Sequence, residues 1–396
     1  MNRKLAWILA FTLSLAAVVH GQAAATGAII TGSKVVNCDA GQSLNAAIAK
    51  LNKEGPNTVL VQGTCTEYVT IAGFENLTVK STSGATLVQP SVVPVNGVLV
   101  TLLRVNSSRN VTIDGLNFSS DSSKPAAIGI LLGSTDVRLR NLLVVGGNAG
   151  IIIGENSQVS IAKVTVRNAG WASVGIYDRS DARIEHCVFE DLTGTSWHSG
   201  VNVGGAHVAV TGSTIRNMDV GIVVNQTGEL VVEDAPLLYP PDGPGDVVID
   251  NSAGKNSTGV SIDGASSVTV SNAKLRIANA GGQVYGDAID VSNGSTLNAS
   301  ANLIISGSRG QGILVKNNSH ATLDGSSITG GQHGGLVAVN LSTISTVTWD
   351  QPVTVSGNAV DVFCDSQSVI TGGVKIANAS TVQCPNLLPW DSVPIP

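Results

Sequence analysis

Charge is scarce in this chain. Only 13% of its 396 residues are Asp, Glu, Lys or Arg, aromatics make up 4%, and methionine occurs twice. No run of Lys or Arg exists, and 22 basic residues against 28 acidic ones give a formal charge of −6. Neither a nucleic-acid footprint nor a polybasic membrane patch fits that balance. Beyond Val19 no apolar run is long enough to span a bilayer, so membrane insertion is not expected. The histidines are scattered and no Gly-Gly-x-Gly-x-Asp calcium repeat occurs, so no metal site and no cofactor are expected. Disordered chains combine low hydropathy with high charge. Here mean hydropathy is +0.25 and glycine numbers 45, which is the opposite balance.

What is abundant is a repeat. A Gly (or Ala) followed by apolar-any-apolar recurs at Gly129-Ile130-Leu131-Leu132, Gly150-Ile151-Ile152-Ile153, Gly175-Ile176, Gly200-Val201-Asn202-Val203 and Gly221-Ile222-Val223-Val224. It resumes at Gly259, Ala288, Gly312, Gly335 and Ala359, at intervals of 21 to 29 residues with one of 38. Between these phrases, apolar residues fall at relative positions 0, 2, 5 and 7, as in Val111/Ile113/Leu116/Phe118 and Val159/Ile161/Val164/Val166. Period-two alternation indicates strands with one buried face. A period near 24 with Gly, Asn and Ser between short strands indicates one turn of a parallel β-solenoid per repeat. The fold expected is all-β, with about ten or more coils. Ile130, Ile151, Ile176, Val201, Ile222, Val260, Ile289, Ile313 and Val360 are expected to stack in one core column.

The organisation follows. Residues 1–23 read as a secretory signal: Arg3 and Lys4, an apolar stretch from Leu5 to Val19, then Gly21-Gln22-Ala23. Losing that segment removes two basic and no acidic residues, and a secreted product, extracellular or periplasmic, is expected. Residues 24–80 form an N-terminal cap and first coil, with a short amphipathic helix over Ser43–Leu51. The repeats fill 81–363, and 364–396 form a last coil and cap. A monomer is expected. Of five cysteines, Cys38 and Cys65 flank the first segment and Cys364 and Cys384 the last. Two staples are expected there, leaving Cys187 free in an inward slot.

"Gln-Ser-Leu-Asn-Ala-Ala-Ile … Asn-Thr-Val-Leu-Val … Glu-Tyr-Val-Thr-Ile … Leu-Thr-Val" resembles the opening of right-handed parallel β-helix proteins of the pectin-lyase-like superfamily. The resemblance implies a right-handed coil and a helix capping its first turn. It also implies a ligand cleft along the sheet of the Gly-apolar-x-apolar strands. The central x residues of that sheet are Leu131, Ile152, Tyr177, Asn202, Val223, Ser261, Asp290, Leu314, Val337 and Asp361, with the polar ones in the middle. Five of the eight Trp and Tyr residues beyond the signal, Trp171, Tyr177, Trp197, Tyr239 and Tyr285, fall between 171 and 285. Aromatic faces beside polar side chains suit a sugar chain, whereas loop packing is the plainer alternative.

Asp178 occupies what reads as an inward slot, which marks either function or a shortened strand whose turn it serves. Ser173, His198 and Asp219 each precede a strand glycine by two residues. Without a nucleophile elbow they do not make a hydrolytic triad, and His198 reads as a sugar contact. Tyr285-Gly286-Asp287-Ala288-Ile289-Asp290 and Gln332-His333-Gly334 resemble the polygalacturonase motifs Asn-Thr-Asp-Gly-Ile-Asp and Gly-His-Gly. The resemblance implies catalytic roles for Asp287, Asp290 and His333. However, Gly310-Gln311 stands where that family has paired Asp, and its Arg-Ile-Lys is missing. The lyase members' Arg-rich motif and acidic cluster are also absent. Two readings stay open: a polysaccharide-interacting protein contacting Trp171, Tyr177, Asp178, Trp197, His198, Asn202, Tyr239 and Tyr285, with or without lyase or hydrolase turnover, and a non-catalytic extracellular scaffold.

Overall fold

A computed structural model describes residues 32–81, 83–91, 101–121, 126–193, 198–234, 245–251, 258–281, 286–300, 302–347, 352–372, 374–375 and 381–388. The expected signal segment, most of the Pro236–Ser257 insertion, Trp197, Tyr239, Tyr285 and Trp390 lie outside these residues. Short strands form three parallel sheets of 15, 13 and 13 strands, and after the first strand, which pairs with the second, neighbours in a sheet are three strands apart along the chain. The chain thus passes once through every sheet per coil, making a solenoid of about 12 turns. At ~4.8 Å per strand, thirteen strands span about 58 Å.

The 15-stranded sheet is called here the first. The second contains Ala149–Ile153, Ala172–Tyr177, Ser199–Gly204, Val220–Asn225 and Thr258–Ile262. The third contains Thr165–Arg167, Val188–Glu190 and Thr214–Arg216. The 0, 2, 5, 7 phrase maps onto this geometry directly. Val111 and Ile113 point inward from the first sheet, Leu116 fills the corner and Phe118 points inward from the third, all buried.

In the second sheet the core has two columns. One runs Ile128, Ile151, Val174, Val201, Ile222, Val260, Ile289, Ile313, Leu336, Val362. The other runs Ile130, Ile153, Ile176, Val203, Val224, Ile262, Val291, Val315, Ala338, Cys364. The single expected column is therefore corrected. Ile130 and Ile176 belong to the second column, and Val360 pairs with Gly334, two residues before its column partner Val362. A two-residue shift keeps the in–out alternation intact, so it leaves no trace in the hydrophobic pattern.

The glycines explain the shift. Gly150, Gly200, Gly221, Gly259, Gly312 and Gly335 line one corner, where an added Cβ would fall 2.3–2.6 Å from a side chain of the third sheet. Gly200 would strike Ile215, and Gly221 would strike Ile249. Small residues, Ser173 and Ala288, take neighbouring places in the same column, and larger ones, Leu102 and Asp361, stand in it only towards its two ends. Gly129 and Gly175 do not belong to it. They face outward, level with Ile152.

The turns between second and first sheets use left-handed backbone pairs, including Glu155/Asn156, Asp178/Arg179 and Asn317/Asn318. Asp178 is therefore a turn residue and not an inward slot, which corrects that expectation. Beneath these turns runs a buried serine ladder. Ser108, Ser134 and Ser157 each donate a backbone N–H to the hydroxyl of the serine one coil on, ending at Ser180. Ser266, Ser295, Ser319 and Ser342 repeat the pattern towards Ser368, at 3.1–3.3 Å.

At the N-terminal end, a helix of five residues, Leu44–Ile48, is capped by Ser43 and buries Leu44, Ala47 and Ile48. Glu67 holds its first turn through the Leu44 and Asn45 N–H groups. Cys38–Cys65 and Cys364–Cys384 are disulfides with Cα separations of 5.0 and 4.4 Å. Cys187 is free and buried, and that burial pushes its thiol up to about 12, an inert core group. No helix among the described residues is long and apolar enough to cross a membrane.

Candidate functional site

The outward face of the second sheet carries a row made, coil by coil, of Ile152, Gly175, Asn202, Val223, Ser261, Asp290, Leu314, Val337 and Phe363. Three expected members are displaced. Leu131 and Tyr177 stand two residues further along their strands, and Asp361 lies in the glycine-corner column, where it is buried and bound by Asn358.

Gly175 and Gly204 make room for Tyr177. A Cβ on Gly175 would lie 2.7 Å from the Tyr177 Cε2 and Oη, and one on Gly204 would lie 2.8 Å from its Cδ1. The phenol ring therefore folds back over its own strand and lies flat on the sheet. Trp171 stacks with it, with centroids 6.0 Å apart and planes within 17°. Trp171 remains 39% exposed, so one partner of the pair is open to solvent. Asp178, in the turn just beyond, leans its carboxylate over Gly154 of the preceding coil.

Level with Gly175 and one coil on is Asn202, only 7% exposed. Its Oδ1 has no hydrogen-bond partner among the described residues, and neither has the buried Tyr177 Oη. Burial pushes the Tyr177 phenol well above its ordinary range, so it stays a neutral hydroxyl. Such groups carry a desolvation cost unless water or a ligand completes them.

His198 sits at the start of the next strand, level with Trp171, whose carbonyl accepts the Ser199 N–H at 2.9 Å. Its Nδ1 lies 2.9 Å from Asp191 Oδ2, and its backbone N–H donates to Asp219 Oδ2 at 3.2 Å. Burial pushes the Asp191 carboxyl up, but hydrogen bonds from His198 and from the Thr193 N–H and hydroxyl outweigh it and hold the group below its ordinary value. Ser173 is not part of this row. It pairs in register with Gly200, buried in the corner column, so no Ser–His–Asp stack forms. Asp191 was not legible as a site residue in the sequence. Its position seven residues before His198, across a turn, offers no motif.

Asp287 and Asp290 lie on and beside the strand Ile289–Val291, and both join their coil to the next. Asp287 Oδ1 accepts the Gln311 N–H at 2.7 Å, and Asp290 Oδ2 accepts from Lys316 Nζ at 2.8 Å. The second Asp290 oxygen is buried without a partner among the described residues. His333 belongs to an open groove two coils on, lined by Gln311, Leu314, Val337, Phe363 and Gln383. At ~4.8 Å per coil it stands about 10 Å along the axis from Asp287. The structure thus gathers Trp171, Tyr177, Asp178, His198 and Asn202 within two coils, and sets Asp287, Asp290 and His333 apart from them.

A family model described as a right handed beta helix region matches residues 93–235. The chain is a right-handed parallel β-helix, so the resemblance holds at the level of the fold. No curated protein matches its sequence. Among solved structures, it is similar to the receptor-binding protein of bacteriophage Det7, a podoviral tailspike in a myovirus. That match is 10% identical over 91% of this chain and 76% of the other, with a TM-score of 0.49. It is also similar to the periplasmic alginate epimerase AlgG, at 13% identity, 90% and 83% coverage and a TM-score of 0.47. A third is the catalytic domain of a GH87 α-1,3-glucanase, at 12% identity, 90% and 68% coverage and a TM-score of 0.42. Likeness this distant leaves function to the residues themselves.

Proposed function

We propose that this protein is exported and binds a polysaccharide along the outward face of the second sheet, without turning it over. The observation that carries the reading is the Trp171–Tyr177 stack lying beside two buried, unpartnered polar atoms, Tyr177 Oη and Asn202 Oδ1. A sugar ring offers an apolar face to stack on and hydroxyls to complete such atoms. Trp171 is the exposed platform, Tyr177 and Asn202 are the hydrogen-bonding groups, and the Asp191–His198 pair fixes the strand start beside them. Asp178 borders the platform as a hydroxyl acceptor, and Trp197, Tyr239 and Tyr285 are assigned to the same ligand by sequence.

Binding without turnover is favoured because an acid and a base must face one bond from two sides. Asp287 lies just before the strand that carries Asp290, and each holds the next coil, which suits a structural role. Two disulfides and the signal-like N-terminus support an oxidising, extracellular or periplasmic location for a monomer. The test is a glycan array with protein lacking residues 1–23, followed by titration of Trp171→Ala against any hit. Loss of about 1 kcal/mol or more, roughly fivefold in affinity, supports the platform. Unchanged binding in that variant would leave the scaffold reading as the better one.

A further inference from the structure

We infer that the ligand of this face is a neutral, hydroxyl-bearing glycan and not a polyuronate or other anionic chain. The inference rests on the polysaccharide reading and deepens it, because it comes from the charge and hydrogen-bonding character of the face rather than from its aromatic platform.

Three outward rows run along the second sheet, and their charge is one-sided. From the coil of Ile152 to that of Asp290 they carry carboxylates at Asp263, Asp287 and Asp290, and Asp178 reaches over Gly154 at the edge. Among the described residues, no Lys or Arg occupies those rows in that span. Arg179 lies in the turn beyond Tyr177, outside the rows. Beyond that span Lys316 stands one coil further on, tied to Asp290 at 2.8 Å, and Arg104 stands two coils before Ile152, hydrogen-bonded to Asn106. A carboxylated sugar chain laid on this span would meet like charge, with no cation among the described residues of these rows between Ile152 and Asp290 to receive it.

The unpartnered atoms add a demand for hydroxyls. Asp290 Oδ1 and Asn202 Oδ1 are buried acceptors without donors among the described residues. Sugar hydroxyls can donate to them and uronate sugars carry hydroxyls as well, so these atoms call for a glycan and the charge of the face selects the neutral one. Asn202 and Asp290 occupy one row with Val223 and Ser261 between them. Three coil spacings separate them, about 14 Å. A ligand completing both must therefore be an oligosaccharide lying along the solenoid axis, presenting hydroxyls at both ends of that span and a ring face to Trp171 one coil earlier.

The experiment measures affinities of neutral gluco-, manno-, galacto- and xylo-hexasaccharides against hexagalacturonate and hexaguluronate, for the protein without residues 1–23 and for Trp171→Ala and Asp290→Asn. The result expected is at least about tenfold tighter binding of one neutral chain than of either uronate. In Asp290→Asn, which removes a charge and releases Lys316, that preference should shrink by about fivefold or more, with uronate affinity rising. A uronate as the tightest ligand overturns the inference, and so does an unaltered preference in Asp290→Asn. If the uronate is preferred but Trp171→Ala loses it, the platform stands and only the neutral assignment fails. Binding that is indifferent to Trp171→Ala, or absent for every chain, overturns both.

Discussion

Replacing Tyr177 by Phe should make the protein more stable and a poorer binder. The phenol ring fills the space left by Gly175 and Gly204, and Phe fills the same space, so packing is conserved. What disappears is a hydroxyl that is buried without a partner among the described residues. A polar group left in that state costs about 1–3 kcal/mol, and a structural water bridging it would recover part of this. The gain expected from Tyr177→Phe is therefore on the order of 1 kcal/mol, read as a higher urea midpoint at unchanged m-value. Affinity for the bound glycan should fall by about 0.5–1.5 kcal/mol, the worth of one hydrogen bond. Tyr177→Ala separates ring from hydroxyl, because it should lose stability by about 3 kcal/mol or more as two glycine clefts are uncovered. If Tyr177→Phe instead lost about 1 kcal/mol of stability, the hydroxyl would have a protein partner, and the argument that it awaits a ligand would fail.

Gly221→Ala should destabilise by about 1–3 kcal/mol through overpacking, since its Cβ would lie 2.5 Å from the Gly259 carbonyl oxygen and 2.6 Å from Ile249 Cγ2. Adding Ile249→Val should not rescue it in urea unfolding, because both obstructing atoms remain. Asp191 is held below its ordinary value, near 3.8, so it contributes stability above that pH, which is lost as pH falls through the lowered folded value. Urea midpoints measured from about pH 7 down to about pH 2 should therefore show an acid limb that flattens in Asp191→Asn, together with lower stability at neutral pH. An identical acid limb in the variant would remove Asp191 from the account.

The coil was legible because its rule is local. Val111, Ile113, Leu116 and Phe118 follow one alternation and one corner, and every coil obeys the same pattern. Register was less legible, because Gly129 and Gly175 look like corner glycines while serving the outer face, and a slip of two preserves polarity. The cluster of Trp171, Tyr177, His198 and Asn202 could be anticipated, since residues one period apart in a solenoid become neighbours. Asp178 misled for the same reason as Gly175: with the strand counted two residues late, a turn residue fell into an apparent core position. The role of Gly204 and the missing partners of Tyr177 and Asn202 could not be read in advance. Whether a polar atom is paired depends on side-chain paths that no spacing encodes.

The serine ladder gives the solenoid a direction. Each ladder hydroxyl serves the backbone N–H of the coil before it, as Ser319 Oγ serves Ser295, while the Ser319 N–H depends on Ser342. Removing one hydroxyl therefore strips a bond from its upstream neighbour and leaves its own amide intact. Damage in such an array is read one coil away from where it was made, always towards the N-terminus. The sequence of dependence stops at Ser180 and restarts at Ser266, because Ala206 and Gly228 occupy the intervening coils. Those coils also carry Asn202 and Val223, so the protein is partitioned, at its candidate binding face, into two runs that do not pass their defects to each other.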